Sequence, residues 1–190
     1  MIILGSKSPR RQELLEKLGV PFRVLTADVD ETVAPELSAR EAVAQISARK
    51  AEATSRLAKD GELIVCADTV VALDGRIMGK PHDRADAVRM LTALSGQTHE
   101  VLTGVTVRGA DRCVTVVERT AVTFRTLLPR EIEAYVSSGE PMDKAGAYGI
   151  QGAASCFVSH LDGDYFNVMG LPLCTLAILL RSFGVKILGC

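Results

Sequence analysis

Ile2-Ile3-Leu4-Gly5-Ser6-Lys7-Ser8-Pro9-Arg10-Arg11-Gln12-Glu13-Leu14-Leu15 opens the chain. The apolar triplet reads as a buried strand, and the leucines from Leu14 onward have helical spacing. Ser8 is placed as an N-cap and Pro9 as the first helical residue, where its missing N–H costs nothing. The result is a strand, a small-residue turn and a helix start carrying two serines, one lysine and two arginines. Backbone N–H groups and the positive end of the helix dipole point the same way as those cations, which suits a phosphate chain. The turn is not a P-loop, because the Gly-x-x-x-x-Gly-Lys-Ser/Thr pattern is absent. Taken alone, the same residues also describe an ordinary capped helix with two solvated arginines.

The rest of the composition makes any phosphate site local. Net charge is −1 and aromatic residues are 4% with no Trp, so neither a polyanion-binding face nor base stacking along a nucleic acid is expected. The 190 residues are 47% apolar and 24% charged, values of one globular domain or two lobes sharing a core. Five cysteines, Cys66, Cys113, Cys156, Cys174 and Cys190, include no C-x-x-C pair. Cys66, Cys156 and Cys174 lie in apolar runs and are expected to be buried; neither a zinc site nor a disulfide framework is indicated. The most apolar stretch, Val168 to Leu180, contains Gly170 and Pro172 and reads as core rather than a membrane span. No basic segment followed by an apolar run precedes the first strand, so the expected compartment is the reducing cytoplasm.

Further along, Phe22 to Thr26 predicts a second strand, followed by the acidic loop Asp28-Val29-Asp30-Glu31-Thr32. Ser38-Ala39-Arg40-Glu41 fits a capping box opening a long helix to about Leu57. Leu63 to Ala67 is a continuous apolar run, interrupted by Asp68-Thr69 and resumed by Val70 to Leu73. That pattern predicts a central strand. Asp74-Gly75 signals a hairpin returning through Arg76 to Met78, and Asp83 caps a helix to Leu94. Val101–Val107 and Val114–Phe124 form the best antiparallel pair. Pro129 starts a helix to Ser137, and Pro141 to Gly152 is a loop rich in glycine and alanine. Cys156–Ser159 and Tyr165–Met169 flank Asp162-Gly163 as a second hairpin, and Leu173 to Phe183 closes the chain as a helix. The order predicts an α/β protein with a partly antiparallel twisted sheet, two lobes and a cleft.

Asp68 is the most informative single residue. A carboxylate inside an apolar strand is expensive to bury unless it is paired or binds a metal, and Asp is a hard ligand suited to Mg²⁺ or Mn²⁺. Glu31 is a second candidate carboxylate, although from the sequence alone a solvated acidic loop is the better description of it. Lys80, fixed between Gly79 and Pro81, is a pre-oriented cation. Lys50 on its helix says less, and Lys144 sits among small residues that permit close approach of a ligand. Gln151 carries both a donor and an acceptor and suits a base edge. His82, His99 and His160 are scattered and expected to be partly exposed. The set suits metal-assisted attack on a phosphoryl group rather than acyl transfer.

These motifs together resemble the Maf family of septum-formation-type nucleotide pyrophosphatases over nearly the whole chain. Ser6-Lys7-Ser8-Pro9-Arg10-Arg11, Asp30-Glu31, Lys50, Ala67-Asp68-Thr69-Val70-Val71, Gly79-Lys80-Pro81, Asp143 to Gly152 and Gly170-Leu171-Pro172 follow in family order. Phe166-Asn167-Val168-Met169 is a local departure. The resemblance implies hydrolysis of a nucleoside triphosphate to the monophosphate and pyrophosphate with a divalent metal, Mg²⁺ or Mn²⁺. It implies an inosine-triphosphatase-like fold over residues 1–190: an elongated, twisted mixed sheet with helices on both sides and two lobes flanking a cleft. It also implies a homodimer. By position, Asp68 matches the family's proton acceptor, and Arg11, Thr69 and Gln151 match its specificity positions. Glu31, with Asp68, matches the metal side. Ser6, Ser8, Arg10, Lys50 and Lys80 match the phosphate side. Arg11 and Tyr148-Gly149-Ile150-Gln151-Gly152 look like the branch acting on dTTP and UTP, with other or modified pyrimidine nucleotides as further candidates. The alternative is a nucleotide-sensing or septation-linked module with little turnover. It would keep the phosphate cations but need no base.

Overall fold

The computed structural model describes residues 1–189. Its centre is the strand predicted from the interrupted apolar run, β3 (Leu63–Leu73), an unbroken 11-residue strand. The first part of β3 pairs in parallel with β1 (Ile2–Leu4), which pairs in parallel with β2 (Phe22–Val24). The last part pairs antiparallel with β4 (Arg76–Met78) across the Asp74-Gly75 turn. Both turn residues have positive φ, 49° and 77°, as a two-residue hairpin of this kind requires. Along its other edge β3 pairs antiparallel with β5 (Thr98–Arg108), then β6 (Cys113–Phe124) and β7 (Val158–Asp162). The sheet has seven strands in the order β2-β1-β3-β5-β6-β7, with β4 on β3. Because β1 pairs only as far as Val65 and β4 begins at Val71, the edge of β3 between them has no strand partner among the described residues. Asp68 and Thr69 lie in that gap.

The pleat divides the core in two. Ile2, Leu4, Val65, Ala67 and Val71 pack with α1 (Pro9–Glu16), α3 (Arg84–Leu94), α4 (Pro129–Ser137) and α6 (Leu173–Ser182) in the main core. Ile3, Ile64 and Cys66 face the opposite way onto Ala51 of α2 (Ala39–Ser55), and further along Ala72 and Leu102 meet Ala39 and Val43. Alternation along the strands therefore places helices on both faces, as expected. The predicted capping box is present. The Ser38 hydroxyl oxygen accepts the Glu41 N–H at 3.3 Å, and Glu41 accepts the Ser38 N–H at 2.9 Å.

Gly104 sets how close α2 comes. It stands opposite Asp68 in the β3–β5 register, and a Cβ there would overlap the backbone carbonyl of Val43. The missing side chain lets α2 lie directly on the sheet, two turns before Lys50. Gly104→Ala is expected to force α2 outward and lower stability by about 1–3 kcal/mol, the usual range for overpacking. Urea unfolding checks this; an unchanged midpoint would show that α2 has slack over Gly104.

Three expectations are corrected. Tyr165–Met169 is not the second arm of a hairpin but a short helix, α5. Its aromatic and β-branched residues favour a strand locally, but the Asp164 carboxylate accepts the Phe166 N–H at 2.7 Å and Gly170 adopts φ 107° at the C-terminal end. Those two caps decide the segment. Cys156 and Cys174 are exposed, and only Cys66 of the described cysteines is buried. His99 is buried, because its position on β5 puts it on the inward side of the alternation.

Candidate active site

The unpaired gap on β3 opens into a cleft of about 1170 Å³. All ten residues singled out from the sequence line it: Ser6, Ser8, Arg10, Arg11, Glu31, Lys50, Asp68, Thr69, Lys80 and Gln151. Asp68 and Thr69 point to opposite faces of the strand, and the gap lets both reach the same hollow.

On the α2 face, Lys50 Nζ donates to Asp68 Oδ1 at 2.7 Å and lies 2.8 Å from Glu31 Oε1. Asp68 and Lys50 are largely shielded while Glu31 comes in from an exposed loop, with side-chain exposures of 12%, 15% and 60%. One ammonium thus holds two carboxylates from separate segments. That pairing is what makes an acid inside an apolar strand tolerable.

On the opposite face, Arg11 is the node. Its Nε donates to the Gly170 carbonyl at 2.8 Å, Nη1 to Ser6 Oγ at 3.4 Å and Nη2 to Thr69 Oγ1 at 3.0 Å. Burial pushes the guanidinium below its ordinary range, and the nearby Asp68 carboxylate pulls the other way. Ser6 Oγ also accepts the Ser8 N–H at 3.3 Å. Both lone pairs of the Ser6 hydroxyl are then occupied, and its proton remains to donate. Beside it, Ser8 stands at the N-cap position of α1 in extended conformation with Pro9 in the first turn, as predicted, but its side chain makes no capping hydrogen bond.

The remaining wall is the loop from Asp143 to Gly152. Lys144 Nζ is tied to Asp143 Oδ1 at 2.7 Å and to the Glu140 carbonyl, and its stem lies against Gly149. A single carboxylate braces the segment carrying Gln151. Glu140 accepts the Tyr135 hydroxyl proton at 3.0 Å and the Ala153 N–H at 3.2 Å, while Tyr135 Oη accepts the Gly149 N–H at 3.2 Å. Both legs are therefore held, two residues either side of Gln151. Arg10, Lys80 and Gln151 line the same cleft. Glu140, Tyr135, Thr103 and Asn167 carry no sequence motif. Tyr135 and Glu140 meet across five residues, whereas the partners of Thr103 and Asn167 lie 34 to 66 residues away.

Tyr148 on this wall is fixed from below. Its hydroxyl shares a 2.8 Å hydrogen bond with His99 Nε2, and the two rings meet edge to face. Burial pushes His99 down to about 4. Between pH 6.5 and 4 the unfolded chain binds a proton at this residue and the native protein does not, so stability falls as pH drops through that window. At about 1.4 kcal/mol per pKa unit, the loss is on the order of 3 kcal/mol. His99→Leu is expected to flatten the stability profile between those values; an unchanged slope in urea titrations would assign it elsewhere. Glu62 and Glu131, both lowered to about 2 by Arg23 and Arg125, stabilise the native protein above about pH 4.5, and that stabilisation is lost only as pH falls from about 4.5 toward 2. No described helix is long and apolar enough to cross a membrane.

The chain matches the family model described as Maf-like protein over residues 1–183. It is 48% identical over 186 residues to a protein of Bacillus anthracis named dTTP/UTP pyrophosphatase, covering 98% of this chain and 97% of that one. Identity and coverage are the same for a Bacillus cereus protein of that name. Among solved structures, the Staphylococcus aureus Ham1 protein superposes with a TM-score of 0.52, covering 96% of this chain and 98% of that one. At 13% identity that likeness speaks for the fold alone.

Proposed function

The chain belongs to the Maf-like protein family, and on that premise we propose that it hydrolyses dTTP and UTP to the monophosphate and pyrophosphate. The observation that carries this reading is the meeting of Asp68 and Glu31 on Lys50 Nζ, inside a cleft also lined by Arg10, Arg11 and Lys80. Paired acids beside converging cations suit attack on a phosphoryl group.

In this reading the triphosphate lies over the Ser6–Arg11 turn. The Ser6 hydroxyl proton and the N–H groups leading into α1 meet phosphate oxygens, with Ser8 closing the turn. Arg10, Lys50 and Lys80 share the phosphate charge. Asp68 orients a water for in-line attack on the α-phosphorus and takes its proton. Pyrophosphate leaves with its charge already balanced by those cations. Thr69, Arg11 and Gln151 contact the nucleoside.

A divalent ion fits the donor set. Two hard carboxylates are brought together on the Lys50 ammonium, although no group of three protein ligands occurs among the described residues. Magnesium is commonly held by one or two carboxylates together with substrate phosphates and water. Glu31 and Asp68 would hold Mg²⁺ or Mn²⁺ in this way, and bound there it supplies charge neutralisation on the phosphates. The same reading treats residues 1–190 as one catalytic unit of two lobes, acting as a homodimer in the cytoplasm on a free nucleotide.

A pyrophosphate-release screen over common and modified triphosphates, in Mg²⁺ and in Mn²⁺, tests the proposal. dTTP and UTP are expected to lead, with the monophosphate as co-product. A nucleoside diphosphate and orthophosphate would mean attack at the γ-phosphorus. Tight binding with negligible pyrophosphate release would favour a sensing module instead.

A further inference from the structure

Thr103 stands directly across the sheet from Thr69, on β5, and is fully buried. Its hydroxyl has one proton. That proton goes to the Asn167 carbonyl, 3.1 Å away, because a carbonyl only accepts. The 2.9 Å contact between the two threonine hydroxyls is therefore a donation from Thr69 to Thr103. Arg11 Nη2 donates to the same Thr69 oxygen at 3.0 Å. The Thr69 hydroxyl thus has its proton turned inward, one lone pair occupied by Arg11, and one lone pair left. Asn167 is itself anchored, its amide donating to the Val101 carbonyl and to Thr120 Oγ1, both at 3.0 Å. The relay from α5 through β5 to β3 has one consistent direction.

We propose that Thr103 is a specificity-determining positioning residue. It fixes Thr69 as an acceptor-only group facing the cleft, and that acceptor takes the imino N–H of a uracil or thymine ring. The inference rests on the nucleotide reading given above and adds to it the polarity of base recognition. A cytosine ring presents a lone pair at the position of that N–H. Two lone pairs would then face each other, a mismatch that a polar site rejects more strongly than a change of size. Thr69 cannot reverse the mismatch by rotating, because rotation would forfeit its bond to Thr103 and disturb its bond to Arg11.

Thr103→Val keeps the shape and removes the hydroxyl. The Asn167 carbonyl still accepts the Gly170 N–H at 2.9 Å, so no buried acceptor is orphaned. The Thr69 proton is freed to swing toward the cleft and donate to cytosine. The kcat/KM ratio of UTP over CTP is expected to fall about tenfold, equivalent to about 1.4 kcal/mol. The change should reside more in KM than in kcat, since the altered bond is to the base rather than to the reacting phosphorus. Thr103→Ser is expected to restore the ratio. If valine does not fold at this position, Thr103→Ala gives the same readout.

A folded Thr103→Val protein with the parental ratio overturns the proposal. So does an equal loss on both nucleotides, or serine behaving as valine does. The underlying reading is judged on the parent protein alone. If the parent hydrolyses neither nucleotide, the pyrophosphatase reading fails and this proposal falls with it. If it hydrolyses UTP and the ratio does not move, only the role of Thr103 is lost.

Discussion

Asp68→Asn is expected to fold as the parent protein does and to lose about two to four decades of turnover, the range for removing a positioned general base. The substitution is nearly isosteric, and the amide oxygen can still accept from Lys50 Nζ, now at 2.7 Å from Oδ1. The lone ammonium keeps Glu31 as a partner, 2.8 Å away. Packing around Ala67 and Val70 is untouched, so the melting temperature should hold to within a few degrees. The residue loses its ability to take a proton from water. Turnover and melting are measured on the same preparation. Full activity in a folded Asp68→Asn protein would remove Asp68 from the chemistry.

Lys50→Met is expected to cost two to three decades in kcat/KM. One charge pair at contact, at an effective dielectric near 20, is worth about 4 kcal/mol. That corresponds to about three decades in rate if it is lost entirely in the transition state. Methionine keeps most of the stem length. It leaves Asp68 and Glu31 without their shared counter-charge, so a fall in stability accompanies the loss of activity. Lys80→Met provides the contrast. Lys80 is exposed, and water and salt screen its contribution, so a loss of about one decade or less is expected. Steady-state kinetics of both variants at equal ionic strength read the difference. Equal losses would mean that Lys50 acts as one solvated cation among several rather than as the clasp of the two acids.

Much of this organisation is legible in the chain because it is local. The apolar run broken only by Asp68-Thr69 predicts one central strand, and Asp74-Gly75 and the Ser38–Glu41 box fix the adjacent turn and helix start. The candidate site positions come from the family resemblance, and all ten line one cleft. What is not legible depends on partners distant in sequence. No local pattern shows that Lys50 spans 18 residues to reach Asp68, or that Gly104 leaves room for the Val43 backbone of the same helix. The segment Tyr165–Met169 reads as a strand because its side chains favour one. Its helical state depends on the Asp164 and Gly170 caps, and only as a helix does it bring the Asn167 carbonyl to Thr103 and the Gly170 carbonyl to Arg11. His99 reads as an ordinary polar residue. Its burial follows from the register of β5 against neighbours that include Phe124 and Tyr148.

The most direct measurement is the position of isotope after turnover of dTTP in water enriched in heavy oxygen. Attack on the α-phosphorus by the water held at Asp68 places one heavy oxygen in dTMP and none in pyrophosphate. Label in pyrophosphate, with dTMP unlabelled, would mean that the β-phosphorus is attacked instead, and would contradict the account of the cleft.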